Sequence, residues 1–167
     1  VNKKLYRALQ EAQGKIPAGG TLDDDPAKQP TLDSVFVSAA LSGGLSGSTA
    51  AKLGWNLVVP ASVDAGVLSK QVNVCRRNIG SGTQASFNAE FLNAGCGTGT
   101  AVYAPVGQTV GKDNSTVIAS PALAESGTLA WNLGSGAGSV ETCLGTTVEN
   151  LGGTAYAIGM LSRENTP

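Results

Sequence analysis

Residues 70–87, which read KQVNVCRRNIGSGTQASF, decide the fold. In the first half of this stretch Val72 and Val74 alternate with polar residues, and this period of two predicts a β-strand. A glycine-rich turn follows, and Phe87 and Phe91 then stand at the i, i+4 spacing of a helix. A strand, a glycine-rich turn and a helix in this order are a basic unit of α/β proteins.

The rest of the chain continues this alternation. Leu5 and Leu9 lie on one side of a charged segment and predict an amphipathic helix over residues 2–13. A second glycine-rich loop, GSGAGS, separates another predicted strand from another predicted helix. Further strands are predicted at residues 100–106, 116–120, 128–133 and 155–165. A further helix, capped by Thr31 or Ser34 and burying Val35, Ala39 and Leu41, ends at residues 42–44.

Together these segments predict an α/β fold with a central mixed β-sheet flanked by helices. We expect residues 1–30 to form a helix and a polar loop that lead into a lobe of residues 31–167. The 23 glycines, roughly twice the usual share, fit short elements joined by many turns. No apolar run approaches about 18 residues, so we expect no membrane span.

Charge and histidine content exclude several classes of function. The 11 lysines and arginines are balanced by 12 acidic residues, so the chain lacks the basic field that nucleic-acid binding needs. The absence of histidine excludes histidine-based catalytic triads and histidine metal sites. Charged residues make up only 14% of the chain, and a surface of this composition is typical of exported proteins. We therefore expect a periplasmic or secreted protein without a cofactor.

The three cysteines match no metal-binding or redox spacing. In an exported protein we expect a disulfide between Cys96 and Cys143, with Cys75 inside a strand. The alternative is three buried free thiols, since cysteine is often simply a small core residue.

The run of three aspartates at residues 23–25 is a candidate for a calcium-binding site. The spacing of a calcium loop and its distal glutamate are both missing. A solvated turn is therefore expected here, and we predict no metal site.

The turn after the first strand is the strongest candidate for a binding site. A helix that begins at Ser81 or Gly82 would point free backbone amides and the positive end of its dipole at whatever lies before it. Ser81 and Thr83 add hydroxyl groups, and Arg77 adds a guanidinium fork that can hold two oxygens. Such a set of donors selects a compact oxyanion. In the alternative interpretation Ser81 only caps the helix and Arg77 forms a surface ion pair.

Three stretches, in order along the chain, carry a resemblance to a known family. Residues 72–87 follow the pattern V-x-V-x-x-R-x-x-x-S-G-T-x-x-x-F, WNLVV lies upstream at residues 55–59, and GSGAGSV and AIGML lie at residues 134–161. They resemble the phosphate-binding proteins of ABC importers, which have the type II periplasmic binding protein fold. The resemblance covers roughly residues 31–161 and looks like the second of two lobes, or a fragment that contains it. Met160 departs from the family, in which a tyrosine follows this closing strand.

The resemblance implies a function and a set of site residues. Phosphate or a similar tetrahedral oxyanion would be bound by Arg77, Ser81, Gly82 and Thr83, in a cleft that the other lobe closes. A solute-binding protein of this kind serves ABC-type uptake and docks on the membrane subunits of the transporter. In the family the other lobe supplies further ligands, including a carboxylate that accepts a hydrogen bond from a protonated phosphate. The glycine- and serine-rich first strand and loop of that lobe are not found in this sequence.

Two other classes of function compete with this interpretation. An enzyme is not expected, because the chain has no G-x-S-x-G elbow and no histidine base. The segment GQTVGKD at residues 107–113 resembles a Walker loop only loosely, because it is one residue short and ends in Asp113. An extracellular structural or adhesive protein that reuses a binding-protein lobe is the other alternative.

Overall fold

The computed structural model describes residues 1–45, 54–92, 106 and 129–161 of the chain. Two helices come first in these ranges, and strands and helices then alternate. The helices are α1 (Lys3–Ala12), α2 (Ser34–Ser42), α3 (Gly82–Phe91) and α4 (Ala137–Thr142), and the strands are β1 (Gln71–Arg77), β2 (Leu129–Gly134) and β3 (Ala155–Gly159). A π-helical turn (Cys143–Thr147) extends α4, and 3-10 turns lie at Pro26–Lys28, Trp55–Leu57, Val67–Ser69 and Glu149–Leu151.

The three strands form one sheet in the order β2–β1–β3, and both pairings are parallel. At the centre, Val72 of β1 lies between Leu129 of β2 and Tyr156 of β3. The predicted combination of helices and strands is confirmed, but a mixed sheet is wrong for the strands that the structure describes. Apart from Val106, the strands predicted at residues 100–106 and 116–120 lie outside the described residues.

Different helices cover the two faces of the sheet. Val72 and Val74 point to a large apolar cluster shared with α1 and α2, against which Phe87 of α3 also packs. Cys75 points to the other face, where it packs with Val140 of α4. Because β2 and β3 lie on opposite sides of β1, the helix after β1 and the helix after β2 cover opposite faces. Both helices nevertheless begin at the same edge of the sheet.

The N-terminal helix packs in the same core as the sheet. The predicted amphipathic helix is confirmed as α1, whose Leu5 and Leu9 are buried. Just before the helix, Asn2 pairs with Ala157 of β3: its amide donates to the Ala157 carbonyl at 3.1 Å, and its Oδ1 accepts from the Ala157 amide at 2.9 Å. Residues 1–30 are therefore held against the sheet by apolar packing and by hydrogen bonds.

The start of α2 differs from the prediction. Asp33, and neither Thr31 nor Ser34, is the N-cap, with its Oδ1 accepting from the Val35 amide at 2.7 Å. Val35 was expected inside but is 74% exposed, because α2 packs through Phe36, Ala40 and the correctly predicted Leu41. As predicted, the helix ends just before Gly43, whose φ of 80° is the left-handed conformation that glycine adopts readily.

The disulfide prediction is corrected. Cys143 pairs with Cys75, with 5.9 Å between their Cα atoms, so a bridge from Cys143 to Cys96 is wrong. Cys75 lies in a strand as predicted, but this strand is central and its sulfur points toward α4. A Cβ atom on the neighbouring Gly159 would lie 2.8 Å from the Cys75 carbonyl and 3.1 Å from Val140, so the bare glycine lets α4 approach the sheet closely. Cys96 lies outside the described residues.

Candidate functional site

The predicted binding residues lie at the carboxyl edge of the parallel sheet. Arg77, the last residue of β1, is in register with Gly134, the last residue of β2. The two strands therefore end side by side, and the loops that follow lead into α3 on one face and α4 on the other. A crevice between two such loops is where open α/β sheets generally bind ligands.

The start of α3 confirms the predicted N-terminus. Ser81 is the N-cap, and its buried Oγ accepts from the Gln84 amide at 3.3 Å. The Ser81 carbonyl accepts from the Ala85 amide at 3.0 Å. The amides of Gly82 and Thr83 have no acceptor in the described part of the chain. The hydroxyl of Ser81 is thus used for capping, and the two amides remain as donors.

The glycines keep the space around this helix end open. Gly80 has a φ of 79°, which a residue with a side chain adopts only with strain. Apart from the adjoining chain, a Cβ atom added at Gly80 or Gly82 would meet no atom of the described residues within 4 Å. No described side chain therefore crowds these positions, which would let an anion approach the backbone.

Arg77 lies across the crevice. Its Nη2 donates to the Ser135 carbonyl in the loop after β2, at 3.3 Å. Its Nε is buried and has no hydrogen-bond partner. No carboxylate forms an ion pair with Arg77 in the described ranges, so the alternative of a surface ion pair finds no support there.

Gln84 and Ser135 are site residues that the sequence analysis missed. The side-chain oxygen of Gln84 accepts from the Arg77 amide at 3.1 Å, and its Nε2 donates to Asn88 at 3.1 Å. These bonds fix the first turns of α3 to the end of β1. A buried glutamine one turn after a cap gives no recognisable signal in a single sequence. The Ser135 carbonyl is likewise found only once the two strand ends are known to be neighbours.

Arg76 has a different role from Arg77. Strand alternation turns it to the opposite face, where it is 1% exposed and donates to the Val106 carbonyl. Burial lowers the pKa of Arg76 to about 10, so it remains charged at neutral pH. Arg76 is a core residue, and of the two arginines only Arg77 reaches the crevice.

Two of the three aspartates at residues 23–25 stabilise the turn in which they lie. Asp23 pairs with Lys28 at 2.5 Å and accepts from the Asp25 amide, and Asp25 accepts from the Ala27 amide. The hydrogen bond from Lys28 lowers the pKa of Asp23. In the ranges the structure describes, no group of three metal-ligating side chains is found.

No family model, curated protein or solved structure matches this chain. The resemblance to phosphate-binding proteins therefore stays a prediction that rests on residues 55–59, 72–87 and 134–161. In the structure these stretches are a 3-10 turn, the β1–α3 unit, and β2–α4–β3 with its loops. None of the helices described is long and apolar enough to cross a bilayer.

Replacing Ser81 with alanine should lower the free energy of unfolding by about 1 kcal/mol, because the buried Gln84 amide loses its acceptor. Ser86, exposed in the middle of the same helix, gives a matched control. Ser86→Ala should leave the stability unchanged or raise it slightly, because alanine is the better helix former. Urea unfolding followed by circular dichroism compares the two variants. Equal stability of both would contradict the cap.

Proposed function

We propose that this chain binds a small tetrahedral oxyanion, inorganic phosphate first, in the crevice between the ends of β1 and β2. The observation that carries the proposal is Arg77, which in the described part of the chain has no counter-ion and a buried Nε without a hydrogen-bond partner. In the helix that follows the same strand, the amides of Gly82 and Thr83, which have no acceptor among the described residues, supply two more donors at the positive end of a ten-residue helix. A tetrahedral anion would satisfy all of these groups together.

The expected affinity is low for this chain alone. A charge-assisted hydrogen bond contributes about 1.5–3 kcal/mol, and the proposed site has ligands from one lobe alone. We therefore expect binding on the order of −4 kcal/mol, which is a dissociation constant near 1 mM. Closure by a second lobe would complete the hydrogen-bond shell and exclude water.

In this proposal the protein captures a solute and does not catalyse a reaction. It is a solute-binding protein of ABC-type uptake, or one lobe of such a protein with the type II periplasmic binding fold, and its macromolecular partners are the membrane subunits of the transporter. The Cys75–Cys143 disulfide supports a periplasmic or secreted location, because disulfides persist mainly in oxidising compartments.

Arg77→Ala should weaken phosphate binding by roughly tenfold or more, because the guanidinium that reaches the crevice is lost. Isothermal titration with phosphate and with sulfate measures this effect. Arg77→Lys keeps the charge but not the planar fork, so it should bind with intermediate affinity. The matched control is Lys15→Ala, which removes a cation far along the chain and should bind like the wild type.

Circular dichroism and urea unfolding verify that each variant is folded. Arg77 makes one side-chain hydrogen bond to the rest of the described structure, so its loss should change the stability little. Equal heats of phosphate binding for the wild type and for folded Arg77→Ala would overturn the proposed function.

A further inference from the structure

A second cleft lies at the opposite end of the sheet, between α1, the segment before β1 and the start of β3. Its volume is about 520 Å³, which is within the range of small-molecule sites. Lys70 in its wall directly precedes β1, whereas Arg77 ends that strand. Six residues lie between Lys70 and Arg77, so roughly 20 Å of extended strand separates the two sites. We call this second site the basic cleft; its polar lining is Lys3, Lys4, Arg7, Asp64, Lys70 and Tyr156.

A network of hydrogen bonds and one ion pair joins three residues that line the basic cleft. Tyr156 donates its hydroxyl to Asp64 at 2.6 Å, and Lys70 pairs with the same carboxylate at 3.1 Å. The other Asp64 oxygen accepts from the Gly66 amide at 3.0 Å. The ammonium of Lys70 also lies 4.9 Å from the centre of the Tyr156 ring. Both oxygens of Asp64 are thus engaged by the protein itself.

At neutral pH the Asp64 carboxylate is ionised and the Tyr156 hydroxyl is protonated. Burial raises the pKa of Asp64, but the hydrogen bonds from Tyr156 and Lys70 outweigh it and hold this pKa below its ordinary value. Burial and the bond to Asp64 raise the pKa of Tyr156, which therefore stays protonated. Asp64 and Lys70 neutralise each other, so this network does not repel an anion.

The rim of the cleft carries cations in an unfavourable place for the helix. Lys3 and Lys4 occupy the first turn of α1, where the positive end of the helix dipole repels them. Lys4 is paired with Glu149 at 3.4 Å, and Arg7 with Glu11 at 2.8 Å. Lys3 is exposed and has no carboxylate partner among the described residues. Because the helix dipole disfavours a cation at Lys3, we infer that this residue has a role other than stability.

We propose that the basic cleft binds a small organic anion, with an acidic group at Lys3 and an apolar or aromatic body inside. Lys3 supplies the uncompensated charge, because Lys4 and Arg7, which also line the cleft, are paired with Glu149 and Glu11. The apolar body would rest on Leu22 and Val63, the two apolar residues that line the cleft. Carboxylates and phosphates share this chemistry, and the apolar body distinguishes the ligand from the bare oxyanion of the first site.

NMR titration of the ¹⁵N-labelled chain with phenyl phosphate, inorganic phosphate and phenol tests this proposal. Phenyl phosphate should shift the amides of Lys3, Arg7 and Tyr156, and at these amides it should bind roughly fivefold tighter than inorganic phosphate, because the ring is buried. Phenol should bind there at least as weakly as inorganic phosphate, because it lacks the charge. Equal affinities of the three probes, or shifts confined to residues 77–83, would overturn the proposal.

Variants separate this site from the first one. Lys3→Gln should weaken phenyl phosphate binding at the cleft roughly threefold, as expected for one exposed ionic contact. Lys15→Gln and Arg77→Ala should leave phenyl phosphate binding at the cleft unchanged. This holds for Arg77→Ala whether or not that variant loses phosphate binding in the crevice. Lys3→Glu should abolish phenyl phosphate binding at the cleft without lowering the melting temperature, because a carboxylate suits the first turn of a helix. Unchanged binding in Lys3→Glu, or a melting temperature that falls with binding, refutes a ligand-binding role for Lys3.

Discussion

Replacing Trp55 with alanine should lower the free energy of unfolding by about 3–5 kcal/mol, the range for removing a large aromatic side chain from a core. Trp55 is fully buried in the larger apolar cluster. Its ring lies 5.7 Å from that of Phe36 in α2 and 6.0 Å from that of Tyr156 in β3, measured between centroids. Its indole nitrogen donates to the Gln71 carbonyl at the start of β1, at 3.1 Å. One side chain thus joins α2, β1 and β3, and alanine would leave a cavity where the three meet.

Urea unfolding followed by circular dichroism measures this loss. With a slope of about 2 kcal/mol per molar urea, the midpoint should fall by roughly 2 M. Because small domains are stable by only about 5–15 kcal/mol, a large fraction of the variant would be unfolded in buffer. Trp55→Phe is the matched control: it keeps an aromatic ring but loses the indole donor, so it should lose less than half as much. An alanine variant as stable as the phenylalanine variant would contradict the central position of Trp55.

The secondary structure was predictable where local patterns are strong. The alternation of Val72 and Val74, the i, i+4 pair Phe87 and Phe91, and the cap at Ser81 predicted the unit β1–α3 as the structure has it. These signals depend only on neighbours within about one turn of the chain. Local patterns did not predict that Val35 is exposed. The sequence of α2 is apolar on several faces, and tertiary packing selects the one that is buried.

The arrangement of the strands was not predictable from the sequence. The alternation of polar and apolar residues predicted a strand at β1, but it did not predict that the polar Gln71 and Asn73 are buried, as they are because β1 lies between β2 and β3. A polar residue in a strand gives no information about which strand or helix will cover it. For the strands that the structure describes, the predicted mixed sheet was wrong, because strand direction depends on long-range connections.

The candidate site was predictable in part. Arg77 and the amides after Ser81 follow from the strand, turn and helix alone. The Ser135 carbonyl, which holds the Arg77 side chain over the crevice, depends on the pairing of β1 with β2. The basic cleft depends on even longer contacts, because the pairing of β1 with β3 brings Lys70 to Tyr156 and the docking of α1 against the sheet adds Lys3.

Removing the Cys75–Cys143 disulfide is expected to lower the free energy of unfolding by about 2–4 kcal/mol. The bridge joins residues 68 positions apart, so it removes considerable freedom from the unfolded chain. It also ties β1 to the point where α4 passes into its π-helical turn. Comparing the Cys75→Ala/Cys143→Ala variant with Cys96→Ala by urea unfolding separates the bridge from the loss of cysteine side chains as such. A double variant no less stable than Cys96→Ala would contradict the stabilising role.

Peptide mapping checks the pairing itself, because trypsin separates the three cysteines. Cleavage after Lys70, Arg76, Arg77, Lys112 and Arg163 places Cys75 in residues 71–76, Cys96 in residues 78–112 and Cys143 in residues 113–163. Without reductant, the first and third peptides should appear as one linked species, and reduction should release both. Recovery of residues 71–76 as a free peptide before reduction would show that Cys143 is not bonded to Cys75. Because Cys75 lies two residues before Arg77, loss of the bridge should also loosen the end of β1 that presents the guanidinium to the crevice.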